Sequence, residues 1–83
     1  MNNNMKWCVC KFYYSAKNTI TECESKEEAM RFANDGKQKA MDDESVVRYF
    51  VALLNKTEDG YERDPKHPSA LNFYEMIDVL EEK

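Results

Sequence analysis

Residues 5 to 14, Met-Lys-Trp-Cys-Val-Cys-Lys-Phe-Tyr-Tyr, are dense in β-forming residues and apolar at both alternating sets of positions. Successive side chains of an extended chain point to opposite faces, so this stretch belongs inside a sheet rather than at its rim. Cys8, Cys10 and Phe12 fall on one of its faces. Ser15 to Asn18 supplies turn formers, and Thr19-Ile20-Thr21-Glu22-Cys23 is a shorter, more polar returning strand that leaves the hairpin with an edge. Residues 45 to 55, Ser-Val-Val-Arg-Tyr-Phe-Val-Ala-Leu-Leu-Asn, are again apolar on both faces. Periodicity alone fits strand or helix there, and the β-branched and aromatic content favours strand. In 83 residues these stretches leave room for one core, so residues 1 to 83 are expected to form a single domain.

Between the two apolar stretches, Ser25-Lys26-Glu27-Glu28 fits a capping box that starts a helix. Ala29, Phe32, Ala33, Gly36 and Ala40 make one stripe at helical period, while Glu27 with Arg31 and Asp35 with Lys39 suit a solvated opposite face. Gly36 after Asn34-Asp35 is a candidate terminator. The stripe continues to Ala40, however, and a mid-helix glycine costs only about 1 kcal/mol, so the longer helix is preferred.

After the second apolar stretch, Lys56 to Gly60 is a turn and Tyr61-Glu62-Arg63 a short return strand. Asp64-Pro65-Lys66-His67-Pro68 is a stiff connector, with Pro68 placed to open a second helix. Ala70, Phe73, Ile77 and Leu80 would line its inner stripe, Tyr74 and Met76 would flank it, and Leu71 and Val79 would lie off it. The expectation is an α+β fold, β-β-α-β-β-α. Its four-stranded antiparallel sheet has order 2-1-3-4, with two helices packed on one face. The other face would show some of Trp7, Val9, Tyr13, Tyr49 and Val51, or the alternate set, as an aromatic surface for a ligand, a nucleic acid, a target protein or a second copy.

Two isolated glycines make no phosphate-binding loop, and His67 stands alone for any histidine-based triad. No enzyme and no cofactor is expected. Cys8, Cys10, Cys23 and His67 have a zinc-like composition. Cys8-Val9-Cys10 lacks the usual spacing, though, so the thiols are expected to be reduced, small buried hydrophobes, and no metal is assigned. The longest apolar run is too short to span a membrane, and the Asn-rich start lacks the apolar stretch of a secretory signal. A cytoplasmic protein with no membrane association is therefore expected.

Charge is uneven: residues 1 to 41 carry a net +2 and residues 42 to 83 a net −6. Acidic groups recur at Asp42, Asp43 and Glu44, at Glu58 and Asp59, at Glu62 and Asp64, and at Glu81 and Glu82. Such a half repels nucleic acid, and it is either a surface that attracts a basic protein or a solvated acidic face that maintains solubility. Arg48-Tyr49-Phe50-Val51 lacks the glycine of the RNA-recognition strand motif, and the element order differs from that fold.

The Trp-bearing first strand, the hairpin leading into Glu24-Ser25-Lys26-Glu27-Glu28-Ala29 and the Glu58-Asp59-Gly60-Tyr61 turn form a layout that resembles small orphan proteins of bacteriophages and mobile elements, among them anti-CRISPR and other anti-defence inhibitors. The resemblance is one of layout and carries over no functional residue. It implies a stoichiometric inhibitor that covers a basic nucleic-acid site or blocks assembly of an effector complex. The expected function is thus noncatalytic protein binding through Asp42, Asp43, Glu44, Glu58, Asp59, Tyr61 and Glu62, the acids surrounding an aromatic anchor. The partner would be a bacterial nucleic-acid-binding or defence complex. The alternatives are a small-molecule or nucleic-acid binder using the aromatic face, and a homodimeric structural protein.

Overall fold

A computed structural model describes residues 4 to 80; the expected Glu81-Glu82 acidic pair lies outside them. The chain runs β1 (Met5–Tyr13), β2 (Asn18–Cys23), α1 (Lys26–Asp42), β3 (Val46–Thr57), β4 (Gly60–Tyr61) and β5 (Glu75–Asp78). The sheet is antiparallel in the expected order β2-β1-β3-β4, and β5 also pairs with β3. β1 and β3, the two stretches apolar on both faces, form its centre. Their pairing runs from Met5 opposite Asn55 to Tyr13 opposite Val46, with one irregularity after Phe12.

The longer helix is the one formed. Ser25 takes extended backbone angles and its Oγ accepts a hydrogen bond from the Glu28 N–H at 3.1 Å, half of the capping box. Ala29, Ala33 and Ala40 are buried against the sheet, but Phe32, expected on that stripe, is 51% exposed. At Gly36 the helix comes so close to β3 that a Cβ would stand 2.6 Å from the Tyr49 hydroxyl. The glycine therefore serves a close approach rather than a stop. Gly36→Ala is expected to lower stability by about 1 kcal/mol despite alanine's better helix propensity, and the same change in a Tyr49→Phe background is expected to raise it, as read by urea denaturation.

The second helix does not form: residues 62 to 74 are irregular and Glu75–Asp78 is a strand. β3 has twelve residues, and its edge away from β1 needs backbone partners once its side chains are buried. The later chain supplies them. The Glu62 N–H donates to the Asn55 carbonyl, Tyr74 N–H to Leu53 and Val79 N–H to Tyr49. A strand's period of two also places side chains that a helix would strand. Leu71, expected off the stripe, joins Phe73 over Phe50, while Val79, also expected off it, is buried beside Ile77 under α1. Ala70, expected inside, is exposed.

The expected open aromatic face does not form, for the same reason. One layer, α1, covers Val9, Tyr49 and Val51 and packs against Trp7 and Tyr13. Residues 61 to 73 cover the opposite face, where Cys8, Cys10, Phe50, Ala52 and Leu54 are fully buried and Phe12, Ile20, Tyr61, Leu71 and Phe73 pack against them. The covering segment is short, closed by Asp64 N–H to Ala70 carbonyl and Ala70 N–H to His67 carbonyl bonds around its two prolines.

Candidate functional site

The outer edge of β2 is the one long strand edge that the described residues leave unpaired, since β2 pairs only with β1. Its polarity follows from the ladder. The Asn4 carbonyl accepts from Lys56 N–H on the β3 side, so alternation turns Trp7, Val9 and Lys11 toward β2, opposite Cys23, Thr21 and Thr19. The backbone groups of Asn18, Ile20 and Glu22 consequently point outward. Little within β2 blunts this edge: it holds no proline or lysine, its one charged side chain, Glu22, is engaged by Tyr61 and Lys56, and its register with β1 has no bulge.

Depressions lie along both sides of the strand. On the Ile20 side, a cleft of about 430 Å³ opens between the β1–β2 hairpin and the covering segment, walled by Phe12, Ile20, Tyr61, Leu71 and Phe73. Its wall is held by Phe50, whose ring meets Phe12 edge-on at 5.1 Å and Phe73 at 5.3 Å. Arg63 is the only charged residue lining it among the described residues, with Asn18 and Ser69 at polar positions. On the Thr19 and Thr21 side, a smaller groove of about 280 Å³ includes Phe32, Lys11, Tyr13 and Tyr49. There the Lys11 ammonium sits 5.6 Å from the Tyr49 ring and 5.9 Å from the Tyr13 ring.

Tyr61, predicted as a contact residue, lines the cleft while its hydroxyl donates to the Glu22 carboxylate at 2.5 Å. Lys56 Nζ reaches the same carboxylate at 2.9 Å. The two hydrogen bonds, Tyr61's first, hold the Glu22 carboxyl below its ordinary value, and burial with the Glu22 bond pushes the Tyr61 phenol up. Glu62 is likewise committed internally, accepting from Tyr74 at 2.6 Å and from Asn55 at 3.0 Å, which lowers its carboxyl too. Carboxyls depressed in the folded state stabilise it above the ordinary carboxyl range and lose that contribution as pH falls through their folded values. Thermal melts should therefore show stability falling below about pH 4.5, with a shallower fall in Tyr61→Phe/Tyr74→Phe.

The remaining predicted contacts separate into two groups. Asp42, Asp43 and Glu44 lie at the junction of α1 with β3, where the Asp43 carboxylate accepts from Ser45 N–H at 2.9 Å. Glu58 and Asp59 form the turn at the other end of β3. A strand of that length keeps the two groups about 35 Å apart, so they do not surround Tyr61.

The cysteines divide as well. Cys8 and Cys10 are buried on the cleft side of the sheet, and Cys23 packs on the α1 side. Burial pushes the Cys8 thiol up to about 11 and the Cys10 thiol up to about 12, which works against thiolate chemistry. The described residues contain no group of three or more histidine, cysteine or acidic side chains placed to hold a metal, and no helix long and apolar enough to cross a membrane. Sequence reasoning identified the hairpin edge but not the cleft, because Leu71 and Phe73 become walls only if their segment is extended. No protein-family model matches the chain, no curated protein matches it in sequence, and no solved structure matches it in fold.

Proposed function

We propose that this chain is a noncatalytic protein-binding module that takes up an extended segment of its partner as an added strand on β2. The observation that supports this most directly is the outward-facing row of Asn18, Ile20 and Glu22 backbone groups, with side-chain depressions on both faces of the same strand. Strand addition draws affinity from main-chain hydrogen bonds and specificity from pockets that receive alternate side chains. Asp42 to Glu44 and Glu58 with Asp59, at opposite ends of β3, then set a long-range field that steers a basic partner rather than forming its contact surface. The specific form we favour is a phage or mobile-element inhibitor of a bacterial nucleic-acid-binding or defence complex, supported by the sequence layout and the net −6 of the second half.

The test is capture from nuclease-treated bacterial lysate by the wild-type chain and by Ile20→Pro. That change deletes an outward N–H and no bond to β1, a position where an edge strand tolerates proline. We expect one stoichiometric partner, retained by the wild type and lost by Ile20→Pro. Asp42→Asn/Asp43→Asn/Glu58→Gln/Asp59→Asn should slow association at low salt and leave dissociation nearly unchanged. Equal capture by the Ile20→Pro chain would exclude strand addition, and recovery of the chain alone would point to self-association.

A further inference from the structure

We propose that the cleft between the β1–β2 hairpin and the covering segment is a small-molecule site for an amphipathic monoanion, an aromatic body carrying one carboxylate or similar group. Its volume of about 430 Å³ falls within the range of ligand pockets, and its walls are the rings of Phe12, Tyr61 and Phe73 with the aliphatic side chains of Ile20 and Leu71. The two edge-on contacts of Phe50 fix Phe12 and Phe73 from behind, so the apolar walls are formed before any ligand arrives. Charge selects the rest of the ligand. In a chain of net charge −4, the only charged residue lining this cleft among the described residues is a cation, Arg63. Its guanidinium donates to the Ser69 carbonyl at 3.5 Å and, among the described residues, makes no ion pair with a carboxylate.

The Glu22 carboxylate is already engaged by Tyr61 and Lys56 and does not line the cleft. An entering anion therefore meets a guanidinium able to give it two parallel hydrogen bonds, while its aromatic body displaces water from the ring walls. A cation of the same shape would meet repulsion, and a neutral analogue would leave the guanidinium beside the ligand without its charge partner. This site requires no protein partner, so its failure would leave strand addition on β2 untouched.

The experiment is titration of the ¹⁵N-labelled chain with 2-naphthoate, 2-naphthylmethanol and 2-naphthylmethylammonium, followed by amide shifts. We expect saturable shifts centred on Ile20, Leu71 and Phe73 with 2-naphthoate, about tenfold weaker binding of the alcohol, and weaker binding still of the ammonium. Arg63→Gln, which removes the charge and should keep the wild-type spectrum elsewhere, is expected to bring naphthoate down to the level of the alcohol. Ala70→Trp, which fills the opening, is expected to abolish binding while leaving the α1 amides in place. Equal affinity for the three probes, shifts centred instead on Phe32 and Lys11, or no saturation within the solubility of naphthoate would overturn the assignment.

Discussion

Phe50→Ala is expected to remove most of the chain's stability at 25 °C. Phe50 is fully buried at the centre of β3 and makes both edge-on ring contacts of the cleft side, with Phe12 from β1 and Phe73 from the covering segment. Truncating a buried phenylalanine costs about 3 to 5 kcal/mol through lost burial and the cavity left behind. A domain of this size starts from a total stability near the low end of about 5 to 15 kcal/mol. Its ring partners sit on separate stretches of chain, so no movement of a single side chain can fill the space that the truncation opens. Urea denaturation with far-ultraviolet circular dichroism measures the destabilisation. Phe50→Leu, which keeps most of the volume, should retain a cooperative transition at a lower midpoint.

The second large effect is alkaline. Cys8 and Cys10 are 0% exposed, and their thiols are raised from 9.0 to about 11 and about 12, chiefly by burial, with Glu22 adding to the rise at Cys8 and Cys8 at Cys10. The unfolded chain releases these protons near pH 9 while the folded chain keeps them. A group whose folded value is raised stabilises the fold below its unfolded value and loses that contribution as pH climbs toward the folded one. Each thiol therefore removes about 1.4 kcal/mol per pH unit above 9 until its own folded value is reached. Unfolding midpoints in urea should fall steeply between pH 9 and 11, and Cys8→Ala/Cys10→Ala should flatten that fall while lowering stability at pH 7. A parallel fall in both proteins would assign the alkaline transition to other groups.

The legible part of this fold is the part in which local pattern and tertiary demand agree. The stretches 5 to 14 and 45 to 55 are apolar at both alternating sets of positions, which suits the interior strands β1 and β3, and Ser25 with Glu28 marks a helix start without reference to anything distant. Gly36 is harder to read, since its reason is a tyrosine hydroxyl on another element. Residues 68 to 80 give opposite signals. Ala70, Phe73, Ile77 and Leu80 approximate a helical stripe, yet Leu71 with Phe73 and Ile77 with Val79 also satisfy a period of two. What decides is nonlocal: the unpaired edge of β3 and the bare apolar face above Phe50 both gain from an extended segment, and a helix on the α1 side would leave both unmet. The same choice creates the cleft. For the acidic residues, composition identifies a charged half but not its division, which follows from the length of β3 lying between the two groups.

Recognition by strand addition makes a local demand that no other binding mode shares. Asn18, Ile20 and Glu22 carry backbone N–H groups that face outward and bond to nothing within the described sheet. The direct measurement is amide hydrogen exchange of β2 in the free chain and in the complex with the captured partner. Protection of Ile20 and Glu22 only in the complex, with Thr19 and Thr21 protected in both states, is the predicted result. Unchanged exchange at Ile20 and Glu22, with new protection at residues 42 to 44 or 58 to 59, would contradict the account and assign the contact to the acidic ends of β3.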